Sequence, residues 1–517
     1  MSILRSAKDL TKLWRTVFQR VFVLWAIVIP LAAVPAYSRD ANRADPYPAL
    51  AGLRYGISVT DLDGNILVAH RADERFTPAS NVKLFVTAAA LAAQTKISAL
   101  DAGLKVVLEP TESGPPALVL IGHGDPTIGA GANCNVRCIE TLAAAVAASG
   151  IGRVGDIIGD DQWFADERRP LGWSWDDLKF GHGTSISAIA VNDNILSLRV
   201  SPARAAGTSV RASWADAGQS YFALKNGAKT GEATRRKALR LERRIGERTA
   251  RLYGELPIGS KPMTLDLGVD DPAHFAAWTF KRALEAKGVS VSGQLRTRRR
   301  PLQYADEPQS TDPGVPDAPA SAMECIPQGE VRPAETVIAS LPPAPLQDIV
   351  TEINRNSQNL YAEVLLRQLG RTAGRGSSFC GLLQIQNLLE DIGAPRTSYD
   401  IADGSGLSSY NRASPATITA LLRHAVAAPW GEAYRASLPV GGASAGSLKY
   451  RFRGSALEGK IFAKTGTLNH VDALSGYMEA RSGQMLIFSI IVNDRPLDSP
   501  SAMRGIDSTL LMIAEQY

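Results

Sequence analysis

The sequence predicts a mixed α/β fold in which strands from both ends of the chain join one sheet and a long inserted block separates them. Alternating apolar residues form strand pairs near the start, at 53–59 and 66–69, and near the end, at 473–478 and 485–492. From residue 346 onward the chain is helical and apolar before those last strands begin. Helical segments beside strands that pair across the chain predict helices packed on a shared sheet.

The first 38 residues have the pattern of a secretory signal peptide. Five basic side chains precede an apolar run at 21–34, and small residues follow at Ala36 and Ser38, where we expect cleavage. A retained membrane anchor is the alternative, but 14 apolar residues that include a proline are short for a membrane span. We therefore expect an exported, periplasmic protein with no stable transmembrane anchor.

Most of the net charge lies in this leader. The chain carries +5 in total, and residues 1–36 hold five basic and one acidic side chain, so +5 minus +4 leaves +1 for the remainder. A nearly neutral mature protein gives no reason to expect a nucleic-acid partner.

The cysteines and histidines favour disulfides over metal binding. Cys134 and Cys138 are close enough for a local disulfide, while a pairing of Cys325 with Cys380 is possible but not fixed by the spacing. The six histidines are scattered without the spacing of metal ligands. We expect neither a metal nor another cofactor.

Residues 76–86 read Phe-Thr-Pro-Ala-Ser-Asn-Val-Lys-Leu-Phe-Val and predict the start of a helix, with Thr77 as N-cap and Pro78 at the first position. Ser80 and Lys83 are three residues apart and therefore share one helix face. A serine becomes a strong nucleophile when a base takes its proton, and a lysine held neutral can be that base. A core helix with a capping serine and a snorkelling lysine is the alternative.

The middle of the chain has the features of an inserted β-rich region. Short alternating strands run from residue 195 to about 259, and eight basic residues lie between positions 235 and 251. A solvated hairpin face is the default interpretation of these charges, and contact with an anionic polymer is the alternative. The polar, proline-rich stretch 306–320 is predicted to be a linker.

Two further polar motifs follow. Ser357-Gln358-Asn359 opens a helical segment, and Lys464-Thr465-Gly466-Thr467 precedes an apolar strand. Together with Ser80-x-x-Lys83, the ordered triple Ser-x-x-Lys, Ser-x-Asn and Lys-Thr-Gly resembles penicillin-binding proteins and serine β-lactamases. Each motif alone is common, whereas all three in this order are specific.

Lys83 and Ser357 are 274 positions apart, which is more than a compact β-lactamase needs. The chain is similar to class C low-molecular-mass penicillin-binding proteins, the D-alanyl-D-alanine carboxypeptidase/endopeptidases, over about residues 45–517. Supporting stretches lie at 122–126, 172–177, 192–194 and 403–408. The chain departs from the family pattern at Ser409 and at 443–447, and these departures concern substrate preference.

The resemblance implies a transpeptidase/β-lactamase-like domain, an antiparallel sheet with helices on both faces, interrupted by two nested inserted domains. The implied division is a signal peptide at 1–38, a catalytic domain at 45–99 and 336–517, inserted domain II at 100–192 and 263–335, and inserted β-rich domain III at 193–262.

It also implies the catalytic roles. Ser80 attacks the substrate carbonyl and Lys83 takes its proton. Ser357, between Lys83 and Lys464, relays a proton to the leaving amine, and Asn359 holds the substrate amide. The backbone N–H groups of Ser80 and Thr467 are the expected oxyanion hole.

Substrate-binding roles are expected for four more residues. The resemblance implies that Thr465, Gly466 and Thr467 bind the substrate's terminal carboxylate together with Lys464. Asp177, beside two tryptophans, is expected to bind the amino group of a diamino acid, with a structural cap or surface ion pair as the alternative.

The implied function is a serine DD-peptidase that hydrolyses D-Ala-D-Ala and D-Ala–diamino acid cross-links of peptidoglycan through a penicillin-sensitive acyl-enzyme. The expected partners are stem peptides, their cross-links and β-lactams as covalent inhibitors. The alternatives are a β-lactamase or esterase on the same scaffold, and a non-catalytic envelope protein that binds peptidoglycan.

Two other matches are set aside. Lys229-Thr230-Gly231 precedes Ser357 and runs into a charged stretch, so we prefer the motif at Lys464. Residues 442–446 match the Gly-x-Ser-x-Gly pattern of a nucleophile elbow, but no buried strand precedes them and no convincing helix follows.

Overall fold

The structure is a computed structural model that describes residues 46–100, 103–215, 221–310, 320–327, 336–497 and 500–517. The predicted signal peptide at 1–38 lies outside the described residues, as does the centre of the predicted linker. Residues 49–517 form one compact unit.

Strands account for much of both ends and of the middle of the chain. In chain order they are β1 Arg54–Asp61, β2 Ile66–His70, β3 Leu104–Glu109, β4 Ala117–Gly122, β5 Arg153–Val154, β6 Ile157–Ala165, β7 Ile195–Ser201, β8 Arg211–Trp214, β9 Ala223–Asn226, β10 Lys229–Gly231, β11 Arg240–Glu242, β12 Thr249–Tyr253, β13 Glu255–Pro257, β14 Met263–Gly268, β15 Ser290–Val291, β16 Leu295–Arg300, β17 Gln309–Ser310, β18 Met323–Glu324, β19 Thr336–Leu341, β20 Tyr399–Asp400, β21 Arg412–Ala413, β22 Ile461–Leu468, β23 Val471–Glu479 and β24 Met485–Asn493.

The α-helices concentrate in the last third of the chain. They are α1 Val82–Ala92, α2 Gln94–Ser98, α3 Ile139–Ala148, α4 Pro272–Ala286, α5 Leu346–Asn356, α6 Asn359–Ala373, α7 Ser378–Asp391, α8 Pro415–Ala427, α9 Gly431–Ser437 and α10 Ser501–Gln516. No helix among the described residues is both long and apolar enough to span a membrane.

The first large sheet joins strands from both ends of the chain, in the order β2-β1-β24-β23-β22, with every neighbouring pair antiparallel. Ser58 on β1 bonds Thr419 on α8 at 2.9 Å, so α8 covers this face. Ile57 and Val59 point to the opposite face because side chains alternate along a strand, and both are fully buried. With α10 packed on β23, helices cover both faces, which confirms the predicted fold class.

A second five-stranded sheet is built from the inserted part of the chain, in the order β16-β6-β4-β3-β19. β4 and β16 run parallel to β6, whereas β3 is antiparallel to β4 and to β19. α3 packs against β19 and α4 against β6 and β16. Asp271 caps α4 by accepting the backbone N–H of His274, as expected where a helix begins after an acidic residue.

The β-rich stretch between these parts forms small sheets, β14-β7-β8, β11-β12-β9 and β10-β13. Two pairings cross the predicted domain boundaries. β14 begins at Met263 and pairs with β7 rather than with the surrounding domain II segment, and β19 begins at Thr336 and pairs with β3. Each pairing places one strand on the other side of a proposed boundary, and the three-domain division stays a prediction.

Both possible disulfides form. Cys134 bonds Cys138 within a short loop, and Cys325 bonds Cys380 on α7 across 55 positions. The second bond ties the segment 320–327 to the helical part of the chain that follows.

Candidate active site

Ser80 lies in a tight turn before α1, not inside the helix. The predicted start at Pro78 is wrong, because Ala79 has a left-handed φ of 49° that interrupts helical backbone. Residues Ala79–Asn81 form a single 3₁₀ turn, and α1 begins at Val82. Asn81 fixes this turn by donating to Ser475 on β23 at 2.7 Å, so the sheet holds the serine in place.

The amine of Lys83 is fully buried and has three oxygen neighbours. Its Nζ lies 3.0 Å from Ser80 Oγ, 2.7 Å from Asn359 Oδ1 and 2.5 Å from the carbonyl oxygen of Ser405. A neutral amine has two hydrogens and one lone pair. Since the two carbonyl oxygens can only accept, they take both hydrogens and leave the lone pair for the proton of Ser80.

Burial lowers the pKa of Lys83 to about 7. The charges of Asp403 and Glu363 act in the opposite direction but do not offset the loss of hydration. Near neutral pH a large fraction of Lys83 is therefore the uncharged amine that a general base requires.

Ser357 occupies the corner between α5 and α6. Its backbone is left-handed, with φ 61° and ψ 37°, which ends α5 and turns the chain into α6. Its Oγ accepts from Lys464 Nζ at 2.8 Å. Asn359, two residues on, donates to the carbonyl oxygen of His182 at 2.9 Å while it accepts from Lys83.

Lys464 lies on β22, the edge strand of the first sheet, and is fully buried. Burial lowers its pKa well below the ordinary value, and the nearby charge of Lys83 lowers it further. A Cβ at Gly466 would lie 2.8 Å from the carbonyl oxygen of Pro78, so only glycine lets β22 approach the turn of Ser80 this closely. Thr465 donates to Ser447 at 2.9 Å, and Thr467 donates to Asp472 at 3.1 Å.

A cleft of about 400 Å³ opens beside these groups. Asp177 reaches it with its carboxylate 3.1 Å from His182 Nε2, and His182 is half exposed. The cleft lining includes Ser80, Asp177, His182, Asn359, Thr467 and Arg495. The structure thus gathers the predicted residues around two hydrogen-bonded pairs, Lys83 with Ser80 and Lys464 with Ser357.

The two matches set aside lie elsewhere. Lys229 is on β10 in the β-rich region, where its exposed amine is 3.3 Å from Ser209 Oγ. Residues 442–446 form a loop with positive φ at Gly442 and Gly446, and no helix follows.

Asp403 organises the loop that supplies the Ser405 carbonyl, a role that sequence reasoning missed. Its buried carboxylate accepts from the indole N–H of Trp173 at 2.9 Å and from the backbone N–H groups of Gly406 and Ser408, each at 2.8 Å. Gly406 packs so closely on the serine turn that a Cβ would lie 2.0 Å from the carbonyl oxygen of Ala79.

Glu363, one helical turn after Asn359, holds the same loop from the other side and was also missed. Its Oε1 accepts from the backbone N–H groups of Gly404 at 3.0 Å and Ser405 at 2.9 Å. Its Oε2 accepts from Arg367 at 3.1 Å. Burial, with the charge of Asp403, raises the pKa of Glu363 to about 7.

Comparison with known proteins matches the chain to one peptidase family and to individual carboxypeptidases. Residues 39–308 and 323–515 match the D-Ala-D-Ala carboxypeptidase 3 (S13) family. A D-alanyl-D-alanine carboxypeptidase of Actinomadura sp. (strain R39) is 34% identical over 482 residues, which are 90% of this chain and 82% of the relative. The D-alanyl-D-alanine carboxypeptidase DacB of Haemophilus influenzae is 24% identical over 73% of this chain and 71% of its own length.

The fold is likewise similar to a solved structure. Penicillin binding protein 4 (dacB) from Haemophilus influenzae superposes with a TM-score of 0.73 at 20% identity, covering 90% of this chain and 98% of that chain.

The state of Lys83 predicts a pH profile. We expect the rate at which a β-lactam acylates Ser80 to rise with pH, with a midpoint near 7, because only the amine without its extra proton has a free lone pair. Stopped-flow measurement across neutral pH checks this, with circular dichroism as a control for folding. Lys83→Ala should slow acylation by orders of magnitude, and a wild-type rate that stays constant across neutral pH would contradict the assignment of the base.

Asp403→Asn tests the loop. An asparagine cannot accept all the bonds that Asp403 accepts, so we expect the free energy of unfolding to fall by about 1–3 kcal/mol. Removing the negative charge also lowers the pKa of Lys83, so the acylation midpoint should move below about 7. Asp400→Asn, three residues earlier and partly exposed, is the matched control: it loses only surface ion pairs with Arg75 and Arg396, which contribute at most about 1 kcal/mol, and it should leave the midpoint unchanged. An unshifted midpoint in Asp403→Asn would exclude this electrostatic contribution.

Proposed function

The chain belongs to the D-Ala-D-Ala carboxypeptidase 3 (S13) family and is a serine-type D-Ala-D-Ala carboxypeptidase, and we propose that it acts through an acyl-enzyme formed on Ser80. The observation that carries this mechanism is the buried Lys83 amine, 3.0 Å from Ser80 Oγ and bonded to two carbonyl oxygens. We propose peptidoglycan stem peptides as the substrate, with cross-links between D-Ala and a diamino acid as a second one.

Acylation begins when Lys83 takes the proton of Ser80 and the alkoxide attacks the carbonyl between two D-alanines. The oxyanion would be stabilised by the backbone N–H groups of Ser80 and Thr467, at about 2.7–4 kcal/mol per donor. The strand geometry supports Thr467 as donor. Ala463 N–H bonds Pro439 on the outer edge of β22, so by the alternation of a strand Thr467 N–H points to the same edge.

Ser357 is proposed to deliver a proton to the leaving amine. A hydroxyl both donates and accepts, so Ser357 can pass to that amine the proton that Lys83 took from Ser80, which returns Lys83 to its neutral form, while Lys464 donates to Ser357 at 2.8 Å and holds it in place. The acyl-enzyme is then hydrolysed by water, for which the same Lys83 amine is the available base.

Lys464 and the threonines of its motif are proposed to bind the terminal carboxylate of the substrate. Burial and the nearby charge of Lys83 lower the pKa of Lys464. A bound carboxylate would raise that pKa and favour a charged Lys464. Because a charge on one lysine disfavours a charge on the other, substrate binding would in turn favour the neutral form of Lys83.

We propose that Asp177 binds the ammonium of a diamino acid in the stem peptide. Its carboxylate lines the cleft and keeps one oxygen beside His182. His182 is the structural partner that the alternative interpretation requires, and a substrate with a blocked amine distinguishes this contact from substrate binding. Export to the periplasm is proposed on the leader sequence and on the kinship with bacterial cell-wall enzymes.

The alternatives differ in what they release. A β-lactamase on this scaffold would release hydrolysed penicillin quickly, whereas a peptidase holds it as a slowly hydrolysed ester. A non-catalytic peptidoglycan-binding protein would release nothing, and it has no need of two buried lysines bonded to two serines.

Purified muropeptides test the function. We expect mass spectrometry to show loss of the terminal D-alanine and, from cross-linked dimers, conversion to monomers, both blocked by penicillin. Ser80→Ala should remove all product, because the nucleophile is lost. Ser482→Ala, on the exposed turn between β23 and β24, is the control and should leave activity unchanged. Unchanged muropeptides with the wild-type protein would refute the proposal.

Asp177→Asn tests the ammonium site. A hydrogen bond to a charged group contributes about 1.5–3 kcal/mol, so we expect the KM for a peptide with a free side-chain amine to rise about 10- to 100-fold. The same peptide with its amine acetylated is the control, and its KM should not change. Equal effects on both peptides would instead assign Asp177 a structural role.

A further inference from the structure

A second groove lies directly beside the catalytic cleft. It measures about 630 Å³, and one wall carries Trp175, Asp176 and Lys179, which flank Asp177 of the cleft. The other wall is the hairpin β11–β12 of the β-rich region, represented by Glu242, Arg244 and Arg251. The segment that carries Asp177 and the β-rich region thus form the groove together.

Trp175 is the notable side chain of the groove. Its surface is 78% exposed, although a tryptophan normally buries most of its large apolar area. An indole left in water at the mouth of a groove offers a flat apolar face, and planar carboxylate and guanidinium groups surround it. Sugar rings present the complementary surface, since one face carries C–H groups and the rim carries hydroxyls.

The basic side chains of the groove have acidic neighbours, which weakens their attraction for an anionic occupant. Lys179 lies 3.9 Å from Glu242 across the two walls. Arg244 and Arg251 both pair with Glu247, at 3.5 Å and 3.0 Å. A polyanion would have to compete with these acids, whereas the hydroxyls of a neutral ligand can add hydrogen bonds to groups that stay paired.

The length of a stem peptide is compatible with a glycan bound beside the cleft. Trp175 and Asp177 are two residues apart, so their Cα atoms are separated by at most about 7 Å. The sugar of a stem peptide is joined about four residues before the bond that Ser80 would attack, which is about 14 Å of extended chain. A glycan seated in the groove can therefore remain attached to a stem peptide in the cleft.

We propose that this groove is a saccharide subsite that binds the glycan strand of peptidoglycan by stacking on Trp175. The inference rests on the proposed function, because the glycan reaches the groove as part of that substrate. In this proposal Trp175 contributes to the binding of the substrate and takes no part in the chemical step.

Two substrates test the subsite: a muropeptide that carries its disaccharide, and the same peptide freed from the sugar by an amidase. Trp175→Ala should raise KM for the muropeptide about tenfold, which corresponds to about 1.4 kcal/mol. Its kcat, and both constants for the free peptide, should stay unchanged. Tyr304→Ala removes an equally exposed aromatic ring, also 78% exposed, outside the groove, and it should alter neither substrate.

The outcomes separate the two proposals. If the wild-type protein hydrolyses neither substrate, the proposed function fails. If it hydrolyses both and Trp175→Ala leaves the muropeptide KM unchanged, or raises both KM values equally, the saccharide subsite is overturned. Neutral oligosaccharides of N-acetylglucosamine, which lack the lactyl carboxylate that removal of the peptide leaves on the glycan strand, should also inhibit the wild-type protein but not Trp175→Ala, and this inhibition should persist at high salt because the ligand is neutral. Inhibition that high salt abolishes would show that charge, and not stacking on Trp175, carries the binding and would overturn the proposal.

Discussion

The site depends on holding one lysine amine away from water. Burying an ammonium costs several kcal/mol even after relaxation, so the buried Lys83 gives up its proton far more readily than an exposed lysine, and its pKa falls to about 7. The two carbonyl oxygens that orient the amine come from positions 276 and 322 residues farther along the chain, on Asn359 and Ser405. The amine is therefore oriented only when α1, α6 and the loop before β21 are packed together. The reactivity of Ser80 consequently depends on the packing of these three segments.

The loop that orients this amine is held by hydrogen bonds from its backbone N–H groups to two buried carboxylates. Asp403 and Glu363 accept from opposite sides of one short loop, and both carry charge close enough to act on Lys83. Their charges keep the pKa of Lys83 from falling further, while their hydrogen bonds fix the Ser405 carbonyl. One set of contacts thus determines both the position and the protonation of the base, which explains why two carboxylates are buried where neither touches the nucleophile.

Much of this could be predicted from the sequence because the informative signals are local. The strand pattern at both ends gave the shared sheet, and three short motifs gave the residues that meet at the cleft. The start of α1 was not predictable, since Pro78 suits a helix and only the approach of β22 and Gly406 explains the left-handed backbone of Ala79. Asp403 and Trp173 are 230 positions apart, and no local pattern reports such a contact. The pairings of β14 and β19 were missed for the same reason.

The position of β1 between β2 and β24 has a consequence for biosynthesis. A ribosome adds about 5–20 residues per second, so about 20–80 seconds separate the emergence of Ser80 from that of Lys464. During this interval β1 lacks its neighbour β24, and the serine turn lacks β22, which closes against it. The nascent chain consequently has a nucleophile without its catalytic surroundings, and hydrolytic competence arises only after the last strands are added.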